Sequence, residues 1–162
     1  INMSRIARLV LDNSSYHLMI RGNQKQDIFI EEADFQKYLE LLKHYKRKYF
    51  FKLYGYCLMI NHVHLIMEVK KGSDLGKIMQ GINLTYTIWF NKKYKKVGHL
   101  WQGRYKSNII QKNKYMLDCI EYVELNPIRA KLAESPLDYR WSSWQARVRH
   151  NSDRLLDTPE IT

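Results

Sequence analysis

Apolar residues recur along this chain with two spacings, and the switches between them mark its elements. From Tyr16 to Ile20, Tyr, Leu and Ile alternate with His17 and Met19, the period of a strand, until Arg21-Gly22-Asn23 breaks the run. From Asp34 onward, Phe35, Tyr38, Leu39, Leu42, Tyr45 and Tyr49 fall three and four apart, which predicts a helix with one buried face and a basic outer face. Phe50 to Met59 reads as a strand rich in aromatics. Ile60-Asn61 is a short break before a second apolar run, Val63 to Val69, and the two runs predict an antiparallel pair.

Lys71-Gly72-Ser73 is a turn, and Ser73 or Asp74 is placed to cap a helix that continues through Leu75, Ile78, Met79, Ile82, Tyr86, Trp89 and Phe90 to a basic loop near Gly98. Arg104 to Ile110 alternates again. Asn113 is a cap for a last helix from Lys114, which must stop near Asn126 because Pro127 follows. The order strand, helix, strand, strand, helix, strand, helix predicts an α+β fold: a ferredoxin-like antiparallel sheet with helices on one face and an extra C-terminal helix. Residues 3–144 form the expected single domain. Residues 145–162 form a polar, charged tail that is expected to pack loosely. Met3 is the expected start unless the N-terminus is trimmed, and Ile1 and Asn2 are set aside.

Composition narrows the class of partner. A chain of 162 residues with 45% hydrophobic content can close one core, and no stretch approaches the ~18 to 20 apolar residues of a membrane-spanning helix. No secretory pattern opens the chain, so a cytoplasmic protein without a membrane partner is expected. Cys57 and Cys119 lie far apart in apolar surroundings, without the spacing of a zinc ribbon or redox pair. Lys and Arg total 27 against 16 Asp and Glu, a net charge of +11. The excess is clustered at Lys46-Arg47-Lys48, Lys70-Lys71 and Lys92-Lys93 with Lys95-Lys96, which points to a polyanion. Aromatics at 13%, with Trp101 and Tyr105 interleaved among Arg104 and Lys106, add the stacking surfaces used by single-stranded nucleic acid.

The candidate chemistry rests on two pairs. His62 and His64 stand two apart at the start of an apolar strand, so both imidazoles point to one face and can share a metal ion. A lone pair of this kind is weak, since histidines bonded to backbone carbonyls are common in strands. Tyr122 and Asn126 stand four apart on the last helix and so share a face. A phenol oxygen can form a covalent phosphodiester, and an amide oxygen is a hard ligand able to complete a Mg²⁺ or Mn²⁺ site. A free phenol ionises only near pH ~10, so the site must assist it. Packing explains most of the twelve tyrosines, and Asn126 before Pro127 can simply end a helix. His17 and His99 have no spacing that demands a role.

Longer blocks carry a resemblance. Tyr16 to Asn23 (YHLMIRGN), Leu58 to Ile66 (LMINHVHLI), Gly98 to Ser107 (GHLWQGRYKS), Tyr122 to Ala130 (YVELNPIRA), and the segment from Pro136 to Ser143 with Tyr139 and Trp141-Ser142-Ser143 appear in the order found in the REP-associated tyrosine transposases. The chain resembles that family, related to the HUH single-tyrosine insertion-sequence transposases, from about Met3 to Trp144. The resemblance implies that His62 and His64 bind the divalent metal, that Tyr122 is the nucleophile and that Asn126 is the third ligand, although related insertion-sequence enzymes usually carry Gln there. It also implies cleavage of single-stranded or hairpin DNA through a 5′-phosphotyrosine link with a free 3′-hydroxyl, reversible onto another end without a nucleotide cofactor. Relatives include monomers and homodimers, and the nucleoid is the implied location of the target. Arg21, Arg104 and Lys106 are candidates for phosphate contacts, and Trp101 and Tyr105 for stacking on an unpaired base.

Two rival readings remain at this point. A non-catalytic DNA-binding module or repressor would need only the charge and the aromatics. A phosphohydrolase would use the histidines to activate water, with carboxylates such as Asp118 or Glu121 drawn in from elsewhere.

Overall fold

The computed structural model describes residues 8, 10–111, 114–149 and 155–161. Strands β1 (Ser14–Arg21), β2 (Lys52–Met59), β3 (His62–Val69) and β4 (Lys106–Ile110) form one antiparallel sheet in the order β2-β3-β1-β4, the ferredoxin-like order. The helices are α1 (Glu32–Tyr49), α2 (Gly72–Tyr94), α3 (Lys114–Glu124), the single turn α4 (Asn126–Arg129) and α5 (Trp144–Val148). Among the described residues no helix is long and apolar enough to cross a membrane.

Strand alternation divides the interior into two cores. Tyr16, Leu18 and Ile20 of β1, with Val63, Leu65 and Met67 of β3, face α1 and α2, whose Tyr38, Leu42, Ile82 and Tyr86 are fully buried. The opposite face carries a smaller cluster, Tyr54, Cys57, Met59, Ile66 and Ile110, covered by Met116, Ile120 and Val123 of α3. The first two helices therefore share one face, and α3 packs against the other.

Local chemistry moves several boundaries from their expected places. The first helix begins two residues before Asp34, because that carboxylate accepts from the backbone N–H groups of Ile30 at 2.8 Å and Glu31 at 3.1 Å and so closes the first turn from within. Phe50 ends α1 in a left-handed conformation rather than opening β2. Neither Ser73 nor Asp74 caps α2. Its first N–H, from Gly72, donates instead to Asp12 Oδ1 at 2.8 Å, a partner sixty positions away. Residues 102–104 bend before β4, with Gly103 at φ +67, so that strand starts at Lys106. Asn113 lies outside the described residues. The last helix ends at Glu124, and Pro127 falls in the first turn of α4, where its missing N–H removes no helical bond.

The C-terminal part is packed where it is described. Residues 141–143 lie along the edge of β2, with Leu58 N–H donating to the Trp141 carbonyl at 2.8 Å and Ser143 N–H to that of Tyr56 at 2.9 Å. Trp141 stacks on Phe35 at 4.6 Å between ring centroids. Leu155 is 1% exposed, and Asp157 accepts from Leu53 N–H at 2.9 Å and from Lys46. At Leu155 and Asp157 the expected loose packing is thus corrected: these two side chains pack at the end of the sheet, a role that polar composition concealed.

Candidate active site

His62 and His64 open β3 with side chains on the α3 face, and their ring centroids lie 5.0 Å apart. The Nδ1 of His62 sits 2.7 Å from Asn61 Oδ1. An amide oxygen only accepts, so this nitrogen carries the proton and the Nε2 lone pair is left available. On the neighbouring strand, alternation brings His17 to the same face. Its Nε2 lies 2.8 Å from His64 Nδ1, and the two rings stack at 5.1 Å.

Helix α3 crosses this face and delivers Tyr122. The phenol ring stands edge-on to His17, 6.2 Å between centroids, and is 51% exposed, so its hydroxyl is open to a large substrate. The turn at α4 then brings two side chains back onto the helix end. Asn126 Nδ2 donates to the carbonyls of Val123 at 3.3 Å and Tyr122 at 3.4 Å. The Arg129 guanidinium lies 4.0 Å from the centre of the Tyr122 ring and donates to the Tyr122 carbonyl. Asn126 therefore ends the helix with its amide nitrogen, which leaves the oxygen as the atom for any ligand role.

Burial sets the protonation of the histidines. The pKa of His64 is lowered to about 3, first by burial and then by the charges of His62, His17, Arg129 and Arg21. Burial followed by Arg21 lowers that of His62, and burial lowers that of His17. All three favour the neutral form, the form that can donate a lone pair to a metal. The donor chemistry fits a divalent ion on two imidazoles and an amide oxygen, with further positions left to substrate and water. Among the described residues no group of three or more His, Cys, Asp or Glu side chains is arranged to hold one.

The five residues expected to meet DNA divide between two places. Arg21 ends β1 opposite His62, and its charge reaches both metal-ligand candidates. Lys106 pairs with Met19, which pairs with His64, so a row across the sheet carries the exposed lysine on the histidine face. Trp101, Arg104 and Tyr105 instead line a groove against α2. Trp101 packs near Tyr38 and Tyr86 and donates its Nε1–H to the Asn83 carbonyl at 3.1 Å, so it is at least partly a structural residue. Sequence reasoning passed over His17 and Arg129. Alternation puts His17 opposite the core-facing Tyr16 and Leu18, but only strand register sets it beside His64.

Comparison with known proteins bears on this arrangement. The family described as Transposase IS200 like matches residues 10–126. A Haemophilus influenzae protein named for the REP-associated tyrosine transposases is 25% identical over 123 residues, covering 69% of this chain and 67% of the relative. A solved REP-associated tyrosine transposase bound to a REP hairpin is similar at TM-score 0.76 and 17% identity, over 99% of this chain and 94% of that one. A candidate transposase from Deinococcus radiodurans is similar at TM-score 0.50 and 14% identity, over 76% of this chain and 96% of that one. At these identities the two solved structures speak for the fold, and they match its four-stranded sheet and flanking helices.

Proposed function

This chain belongs to the IS200-like transposases, and on that premise we propose that it cuts and rejoins single-stranded DNA at hairpin or palindromic repeats through a covalent bond to Tyr122. The observation that carries the reading is the meeting of two separate elements: α3 sets the Tyr122 phenol edge-on to His17, which is bonded to His64. The solved relative bound to a REP hairpin supports the choice of substrate.

In the proposed step the phenol oxygen attacks phosphorus, the bond from phosphorus to the 3′-oxygen breaks, and the departing oxygen takes up a proton to become a 3′-hydroxyl. The Tyr122 proton passes to solvent, to which the half-exposed ring is open. The DNA 5′-phosphate is left esterified to Tyr122. Attack by another 3′-hydroxyl reverses the step, and because one phosphodiester replaces another, no nucleotide cofactor is consumed. Mg²⁺ or Mn²⁺ held by His62, His64 and the Asn126 oxygen would polarise the phosphate. Arg21 and Lys106 flank the histidines and would hold neighbouring phosphates. Arg129, over the face of the Tyr122 ring, would hold the nucleophile in place.

The test is adduct formation on single-stranded hairpin oligonucleotides with Mn²⁺ or Mg²⁺. The native chain should form a covalent protein–DNA species, and Tyr122→Phe should form none. Cleavage that survives the substitution would establish water as the nucleophile, whereas tight binding without cleavage under either metal would establish a binding module.

A further inference from the structure

Strands β2 and β3 are joined by only Ile60 and Asn61, a loop length that favours turns with positive φ and so selects Asn or Gly. Neither residue uses that conformation here, because the described non-glycine residues at positive φ lie elsewhere in the chain. The turn is held from outside instead. The Ile60 carbonyl accepts from the N–H groups of Ile28 at 2.8 Å and Phe29 at 3.3 Å, and the Asn61 carbonyl accepts from Gly22 N–H at 2.8 Å. Any residue supplies such carbonyls, so the backbone gives no reason for an amide side chain at this position.

That side chain is turned to His62. Its Oδ1 lies 2.7 Å from Nδ1 of the ring, and an acceptor there requires the proton on Nδ1 and leaves the lone pair on Nε2. His62 needs such a bond more than His64 does. His64 lies inside the strand, 5% exposed, with His17 Nε2 at 2.8 Å from its Nδ1. His62 is the first residue of β3, only half-buried, with a turn rather than a strand before it. Without a partner its ring is free to rotate and to carry the proton on either nitrogen. Asn61 thus stands to His62 as His17 stands to His64: each occupies the Nδ1 side and leaves Nε2 for a ligand. Through its carbonyl Asn61 is also bonded to Gly22, next to Arg21, which pairs with His62 across the sheet. One residue therefore holds the ring and anchors the turn to the end of β1 that carries the flanking guanidinium.

We propose that Asn61 is a positioning residue for the metal site: its amide oxygen holds His62 in the Nδ1-protonated form and in one ring orientation, so that both imidazoles offer Nε2 to a divalent ion. The inference rests on the reading of His62 and His64 as metal ligands of a DNA-cleaving enzyme, and the test separates the two. Long-range ¹H–¹⁵N spectra of the full chain in EDTA at neutral pH read the tautomer directly, with the His62 ring assigned by its loss in His62→Gln. His62 should show Nδ1–H in the native chain and in Asn61→Asp, and should lose it in Asn61→Leu and Asn61→Gly. The last two control one another, since leucine keeps the volume, glycine keeps the turn, and neither has an acceptor. With unfolding temperatures unchanged, both should bind Mn²⁺ about 10–100-fold more weakly by calorimetry, and Asn61→Asp should bind it at least as tightly as the native chain does.

A proton found on Nε2 of His62 in the native metal-free chain, or native Mn²⁺ affinity in Asn61→Leu and Asn61→Gly alike, would overturn the role of Asn61 while leaving the Tyr122 adduct intact. Weakening in Asn61→Leu that Asn61→Gly does not share would assign the residue to the turn, and would overturn the proposal equally. A native chain that forms no adduct, yet whose Mn²⁺ binding depends on Asn61 in the expected way, would overturn the cleavage reading alone. A native chain that binds no Mn²⁺ would overturn both.

Discussion

Acid should destabilise this protein through His64, by an amount its environment sets. The side chain is 5% exposed, and its pKa falls from 6.5 to about 3, chiefly through burial. The folded state therefore binds fewer protons than the unfolded chain between those two values. Its contribution to stability is fully present above the unfolded pKa and is lost as pH falls towards the folded one. Across the whole window the loss approaches about 5 kcal/mol, and between pH 7 and pH 5 it is about 2 kcal/mol, or roughly 4–8 °C in Tm for a chain of this size. The assay is urea unfolding in EDTA at both pH values, with His64→Gln as the comparison. The native chain should lose about 2 kcal/mol more than the variant. His17 and His62 are shifted in the same direction and should leave a smaller residual slope in the variant. Parallel pH profiles for the two proteins would refute the reasoning, because His64 would then be solvated and free to protonate in the folded state.

Other substitutions probe separate parts of the argument. Asp34 is fully buried and accepts from Ile30, Glu31, Lys93 and Tyr94. Burial alone would raise its pKa, yet these four hydrogen bonds hold it below the usual carboxylate range, so Asp34→Ala should cost about 3–5 kcal/mol in denaturant unfolding at pH 7. Leu155→Ala should lose about 2–5 kcal/mol by the same measurement, and a neutral result would return that segment to the status of a loose tail. His17→Phe should weaken Mn²⁺ binding, read by calorimetry, about 10–100-fold through loss of the bond to His64; His17→Gln, whose amide can reach the same position, should recover most of it. Arg129→Ala should slow single-turnover adduct formation about tenfold by freeing the Tyr122 ring, with no change in Mn²⁺ affinity.

Short-range rules made the strands and helices legible. The alternation around Val63 and Leu65 assigned a face to His62 and His64, and the steps of three and four from Phe35 to Tyr49 assigned one to α1. These spacings follow from backbone geometry within a few residues, and no distant partner can alter them. What eluded the sequence depends on partners far along the chain. The N–H of Gly72 is satisfied by Asp12, the edge of β2 by residues 141–143 and Asp157, and the proton shared with His64 by His17 on another strand. A capping rule that looks three residues ahead names Ser73 and has no access to Asp12. Trp101 presents a related difficulty, because an aromatic among basic residues has the same local pattern whether its Nε1–H meets a base or, as here, the carbonyl of Asn83.

The site depends on both kinds of information, and the smaller core is what joins them. Strand period aims His62 and His64 away from α1 and α2, and helix period puts Tyr122 on one side of α3. Neither period fixes the distance between phenol and imidazole. That distance is set where Ile120 and Val123, flanking Tyr122 in sequence, pack against Tyr54, Cys57 and Ile66, and where Glu124, 2% exposed, accepts from Ser143 Oγ at 2.5 Å and from Arg147. The segment from Ser143 to Arg147 thus secures the end of α3 just beyond Tyr122. A reacting phosphate tolerates misplacement of about an ångström poorly. Ser143 and Arg147 thereby help hold the helix that carries Tyr122 in register with the sheet that carries the histidines.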